Sequence, residues 1–223
     1  MASDAPKTVA PPGERSPWWY RMRFLTIGAV YFCGFFFGNL ITGLLGLNPE
    51  PAAVQWGAHL GPHGARIILA LGFVSTAIAV ALRVWGGAYL RPEVVWNSDA
   101  LGDRLLVDGP FRYVRNPLYL GNVFLAAGTG LLAPPIGFAI LVAGNVLVAF
   151  GLISVETRLL RARYGAKFDA YAAAVPALIP RLTPAHVAGS ATATPSIGPA
   201  LRSEFFSVLI ALAMLAACFV LPL

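Results

Sequence analysis

Apolar residues fall along this chain in long unbroken blocks, without the alternation of a half-buried strand or the narrow stripe of a soluble amphipathic helix. Uncharged runs extend from Phe24 to Leu47, Ile67 to Leu82, Leu118 to Val155 and Phe205 to Leu223. A helix needs roughly 20 apolar residues to cross about 30 Å of hydrocarbon, so the first and last runs each suit one span and the third is too long for one. Pro134-Pro135 divides it, because proline has no amide hydrogen and restrains the residue before it. The second run is short, but Arg66 and Arg83 can snorkel from its ends and Trp85 suits the interface. The pattern therefore predicts five transmembrane helices, at about 24–47, 66–85, 118–133, 136–155 and 201–223.

The remaining segments are polar. Residues 1–23 are proline-rich and read as a disordered tail that ends in an interfacial Trp18-Trp19-Tyr20 belt. From Glu156, Leu160, Tyr164, Phe168, Tyr171 and Val175 recur at spacings of four, four, three and four. That stripe predicts an amphipathic helix over 156–175, lying on the membrane surface. Residues 183–200 form a Pro/Ala/Thr/Gly linker that leaves the last span detached from a core at 24–182.

Composition agrees: 57% of the 223 residues are hydrophobic and 12% charged, with a mean hydropathy of +0.70. The expected fold is all-α integral membrane. Charge then sets the orientation, because Lys and Arg are retained on the cytoplasmic side of short loops. With the amino terminus inside, the cytoplasmic segments 1–23, 83–117 and 156–204 hold every Lys and Arg except Arg66. A net charge of +6 on that face favours anionic lipid headgroups and needs no nucleic acid, for which there is no soluble basic domain. The expected location is the inner (plasma) membrane of a prokaryote. Cys33 and Cys218 fall inside spans and read as small apolar residues.

Three features invite a chemical reading and are better explained as structure. Gly34, Gly38, Thr42 and Gly46 recur every four residues, a ridge of small side chains for close helix packing. The glycines of "GTGLLA", Gly128 to Ala133, formally fit a dinucleotide loop, but no strand precedes them and a double proline follows. His59 and His63 have Gly61 and Pro62 between them and no third ligand near, so no metal site is expected.

The cytoplasmic face is different. "LLVDGPFRYVRNPLYLG" precedes the helical hairpin and "ETRLLRARYGAKFDAYAAAVPALIPRL" follows it, so an even number of crossings returns Arg115 to Tyr119 beside Glu156 at one membrane surface. These groups suit a small zwitterionic cofactor. Arg115 can hold a carboxylate through two hydrogen bonds, Glu156 can take an ammonium or ribose hydroxyls, and Tyr113 or Tyr119 can face a sulfonium or another cation.

Together the two segments resemble the integral-membrane methyltransferases of the isoprenylcysteine carboxyl methyltransferase family, within the phospholipid methyltransferase-like superfamily. The motif elements are Gly109-Pro110-Phe111, Arg115-Asn116-Pro117-Leu118-Tyr119-Leu120-Gly121, Glu156, Tyr164-Gly165, Tyr171, and Val175-Pro176 to Pro180. The resemblance implies that S-adenosylmethionine is held by Leu105, Leu106, Phe111, Asn116, Pro117, Leu118, Tyr119 and Glu156 in a cytoplasmic-face pocket. It also implies methyl transfer to a lipophilic acceptor, isoprenoid or lipid-like. Asn116 replaces the family's His, and residues 148–155 lack the family's Arg one turn before the Glu, which disfavours a carboxylate acceptor. For a neutral amine, thiol or hydroxyl, Glu156, Tyr119 and Tyr113 are the candidate proton acceptors. Two alternatives stand beside this reading. One is an NADPH-dependent membrane reductase of the sterol type, whose signature places Asp where Asn122 stands. The other is a non-catalytic lipid-binding membrane protein.

Overall fold

Helix formation follows the apolar blocks, and the breaks follow proline and glycine. The computed structural model describes residues 17–90, 105–187 and 194–220. Most of the expected tail, the middle of the linker and Leu223 lie outside the described residues. In chain order the helices are α1 (Trp18–Arg21), α2 (Arg23–Leu44), α3 (Ala52–Gly57), α4 (Gly64–Tyr89), α5 (Pro117–Gly130), α6 (Pro135–Tyr164), α7 (Ala166–Ala174), α8 (Ile197–Ser203) and α9 (Phe205–Val220). Within α2 the residues Cys33–Phe37 take a π-helical turn.

Three helices, α2, α4 and α6, are long and apolar enough to cross a membrane. The α8–α9 pair reaches that length only if taken as one span, and it is bent by 67°. The expected count of five spans is thus three to four among the described residues. The reason lies in the lengths. At 1.5 Å per residue, the 14 residues of α5 rise about 21 Å, short of the hydrocarbon thickness. The 30 residues of α6 rise about 45 Å, so its ends extend beyond the slab.

Small residues set the helix spacing. A Cβ at Gly38 would stand 2.4 Å from the Gly137 Cα, and one at Gly34 would stand 2.3 Å from the Leu141 side chain. The expected ridge of α2 therefore packs on α6, without Gly46, which lies beyond the end of the helix. Gly128 does the same work in α5, where an added Cβ would meet the Gly72 carbonyl of α4 at 2.6 Å. Its role is helix packing, as the sequence context implied. On the far side α3 docks on the hairpin turn through Ala52 N–H to Ala133 O, 2.7 Å, and Ala53 N–H to Leu131 O, 3.1 Å.

Two expectations about polar segments are corrected. The stripe from Glu156 does not form one surface helix, because α6 runs on to Tyr164 and ends at Gly165, where φ is +54°. Only α7 follows as a separate short helix. Its Phe168 and Tyr171, with Val175, are buried against Val107 and Ala185, with Leu105, Leu160 and Tyr164 at the edge. The stripe is the core of a cap built from this chain's own loops.

The last helix, moreover, is not detached. Arg83 of α4 pairs with Glu204, which sits between α8 and α9, through Nε–Oε2 at 2.6 Å and Nη2–Oε1 at 3.0 Å. Arg83 also donates to Asn122 Oδ1 of α5, and Ser207 Oγ donates to Glu204 at 2.8 Å. A charge buried among apolar helices needs such a partner, and this one fastens the carboxy-terminal helices to the core.

Candidate functional site

The site begins with a turn that only glycine permits. Gly109 has φ +56°, and a Cβ there would lie 2.4 Å from the Tyr89 ring. The chain then makes one 3-10 turn, Gly109–Arg112, that buries Pro110 and Phe111. Tyr171 of α7 fixes this turn by donating its hydroxyl to the Phe111 carbonyl at 2.8 Å. Burial, opposed by Arg115 and reinforced by Glu156, pushes the Tyr171 phenol well above its ordinary range, so it stays a donor.

From Arg112 to Asn116 the chain runs beside the 176–185 segment and exchanges backbone hydrogen bonds with it. Arg115 N–H donates to Pro176 O at 2.9 Å, Arg181 N–H to Tyr113 O at 3.0 Å, and Ala185 N–H to Arg112 O at 2.9 Å. Two polar side chains of "RYVRNPLYLG" belong to this latch. Arg112 Nε donates to Ala185 O at 3.0 Å and Asn116 Nδ2 to Ala177 O at 2.9 Å. Asn116 thus does structurally what a hydrogen-bonding residue can do there without titrating. Pro117 follows at the first position of α5, where its missing N–H costs nothing.

The rest of the motif converges on the end of α6. The Tyr119 phenol stands near the Glu156 carboxyl, close enough for the two groups to interact. Tyr119 also packs with Tyr20, Leu152 and Val155 in one apolar cluster. Arg115 lies near enough for Glu156 to attract its charge, and its guanidinium sits 5.7 Å from the centre of the Phe168 ring. Burial pulls the Arg115 guanidinium below its ordinary value. Its Nε is buried and has no hydrogen-bond partner among the described residues. A buried donor left so costs about 1–3 kcal/mol or more, and a bound acceptor would recover it.

Of the remaining predicted residues, Leu105 packs at the edge of the cap, while Leu106 beside it is half-buried. Leu118 and Pro117 press against α4 at Gly86, where a Cβ would meet Leu118 at 2.5 Å. Tyr113 is turned toward Trp85, with ring centres 5.7 Å apart. Tyr119, not Tyr113, is therefore the phenol near Glu156.

Two residues of the cluster were missed. Tyr20 is buried against Leu152 and Val155, the turn before Glu156, and Arg23 is buried over the Tyr20 ring, 5.5 Å from its centre. Burial first, and the Glu156 charge second, push the Tyr20 phenol well above its ordinary range. In the sequence both sit in an aromatic and basic stretch that reads as an interfacial anchor. Their signal is the spacing of three, which puts them on one side of the entry to α2.

Several long apolar helices mark a multi-pass membrane protein, and a cluster of Arg, Tyr and Glu residues lies at one end of them. Residues 67–167 match the model of the phospholipid methyltransferase family. Among curated proteins the chain is similar to the cobalt-zinc-cadmium resistance protein CzcN of Cupriavidus metallidurans, 28% identical over 118 residues, 52% of this chain and 51% of that protein. It is also similar to the nickel-cobalt-cadmium resistance protein NccN of Alcaligenes xylosoxydans xylosoxydans, 30% identical over 117 residues, again 52% and 51%. The match spans about half the length of these relatives. No solved structure matches.

Proposed function

We propose that the protein is an integral-membrane, S-adenosylmethionine-dependent methyltransferase that modifies a lipophilic acceptor, isoprenoid or lipid-like, at the cytoplasmic membrane face. The observation that carries this reading is a buried Arg115 Nε without a hydrogen-bond partner among the described residues, near Tyr119 and Glu156 within the family-matched segment. A guanidinium with a spare donor suits an amino-acid carboxylate, and a carboxylate suits an ammonium or ribose hydroxyls. The donor set therefore fits the amino-acid end of S-adenosylmethionine. Leu105, Leu106 and Leu118 are half-buried and leave apolar surface for the remainder, while Phe111 and Pro117 are buried.

When bound, S-adenosylmethionine supplies an electrophilic methyl group for an in-line displacement. Such a reaction asks the protein for alignment and exclusion of water more than for proton shuttling. The latch of residues 112–116 on 176–185 and the buried cap over α7 serve that exclusion. The acceptor atom forms its bond to carbon as the carbon–sulfur bond breaks. A neutral amine, thiol or hydroxyl gives up one proton, which Glu156 accepts directly or through Tyr119.

The acceptor class follows from an assay of the purified protein with methyl-labelled S-adenosylmethionine. The panel is phosphatidylethanolamine, long-chain thiols, isoprenoid alcohols and N-acetyl-farnesylcysteine. Label in an organic-soluble product from any of them supports the reading. Absence of transfer to all of them, with labelled S-adenosylmethionine left unconsumed, counts against it.

A further inference from the structure

The two most exposed large apolar side chains among the described residues do not lie on a helix. They are Leu182, 100% exposed, and Ile179, 80% exposed, both in the segment 176–185 that pairs with residues 112–116. Single exposed apolar residues are common and need no explanation. These two differ because the chain around them is pinned. Val175 and Ala185, on either side, are buried in the core of the cap. Between them Asn116 Nδ2 donates to Ala177 O at 2.9 Å, Arg181 N–H to Tyr113 O at 3.0 Å, and Arg181 Nη1 to Ala174 O at 2.8 Å. Ile179 and Leu182 thus stand out from a fastened segment that leaves them uncovered.

The same hydrogen bonds set their depth. Asn116 immediately precedes α5, whose 14 residues rise about 21 Å against about 30 Å of hydrocarbon. With the Pro134-Pro135 turn at the far boundary of the slab, the start of α5 lies about 9 Å inside the near one. Ala177, tied to Asn116, lies there with it. From Ala177 the chain climbs back beside residues 116–112, which brings Ile179 and Leu182 to the boundary between acyl chains and headgroups. Arg181 stands between them, and Arg158, Arg161 and Lys167 are exposed at the same end of the molecule. Asp169, paired with Arg161 at 2.7 Å, is the one exposed carboxylate there among the described residues. An apolar pair rimmed by basic side chains fits a bilayer surface that carries anionic headgroups.

We propose that Ile179 and Leu182 form a membrane-contact tip, inserted at the headgroup–acyl boundary of an anionic leaflet beside the start of α5, with Arg181 at headgroup level between them. The tip seats the cap on the bilayer, so that the latch of 112–116 on 176–185 is held against lipid and not in open water. The proposal goes beyond the methyltransferase reading and does not depend on it, because it concerns where the cap rests and not what the site binds.

The test is nitroxide accessibility on the full chain in nanodiscs of phosphatidylcholine and phosphatidylglycerol. Single labels are placed through Ile179→Cys, Leu182→Cys, Leu71→Cys in the α4 span and Lys167→Cys on the exposed side of α7, each in a Cys33→Ala/Cys218→Ala background. At 179 and 182 molecular oxygen, which partitions into lipid, is expected to collide with the label more often than a water-soluble nickel chelate, as at 71, and the order is expected to reverse at 167. Nickel collisions exceeding oxygen collisions at 179 or 182 overturn the proposal. Low access to both reagents means that protein covers the residues, and overturns it as well. If the cysteine-free background does not fold, photoreactive benzoylphenylalanine in place of Ile179 or Leu182 in the native chain reads the same contact. Lipid adducts then support the tip, and their absence or adducts to protein overturn it.

Discussion

Arg83 and Glu204, 121 residues apart in the sequence, meet in a two-point ion pair with side chains only 17% and 4% exposed. Asn122 and Ser207 complete the cluster, so three separate stretches of chain converge on one guanidinium and one carboxylate. Arg83 also lies against Gly121, the last residue of the "RNPLYLG" motif, where a Cβ would stand 2.6 Å from its stem. The pair therefore joins the carboxy-terminal helices to the helix that carries the site.

Removing one member of such a pair leaves a buried, unbalanced charge, which costs about 3–5 kcal/mol. Glu204→Ala is expected to lower the thermal midpoint of the detergent-solubilised protein markedly. Arg83→Met combined with Glu204→Leu should cost less than Glu204→Ala, because no charge is then stranded. Thermal unfolding of the three proteins checks the order.

Tyr171→Phe deletes a single hydroxyl and strands the buried Phe111 carbonyl, at about 1–3 kcal/mol. The loss is local to the Gly109–Arg112 turn. Hydrogen exchange is expected to speed up at 109–116 and 176–185, the two sides of the latch, more than in α2 or α4. Uniform protection equal to wild type would remove Tyr171 from that role.

What could be read from the sequence divides by length scale. Long apolar blocks and the double proline located α4 and the α5–α6 hairpin within a few residues, because lipid demands continuous helices and proline ends them. Helix length was less legible: α6 continues past Val155 through polar residues, since a helix leaving the slab needs no apolar side chains to persist. The stripe Phe168, Tyr171, Val175 was read as an apolar face laid on the membrane, because periodicity does not say what an apolar face packs against. Lipid and the loops at 105–107 and 185–187 offer the same apolar contact. Arg23 was invisible for a similar reason, because an arginine before a span looks the same whether it turns outward or inward. Glu204 sat in a segment read as passive, and nothing local marks its partner 121 residues away.

Orientation follows from the charge asymmetry alone. The amino terminus and residues 83–117 are expected in the cytoplasm, with His59 and His63 on the other side. A cysteine placed at His59 should react with a membrane-impermeant maleimide in intact cells, against a background with Cys33 and Cys218 replaced by Ala. Reaction only after permeabilisation would invert the topology.

The central claim is that Arg115, Tyr119 and Glu156 form the binding site of a methyl donor, and calorimetric titration of S-adenosylhomocysteine tests it most directly. Wild type is expected to bind it and not NADPH. Arg115→Ala and Glu156→Ala, each losing charge-assisted hydrogen bonds worth about 1.5–3 kcal/mol, should bind about ten- to a hundredfold more weakly while keeping a cooperative unfolding transition. Binding of NADPH in its place, binding of neither, or wild-type affinity in both variants would contradict the account.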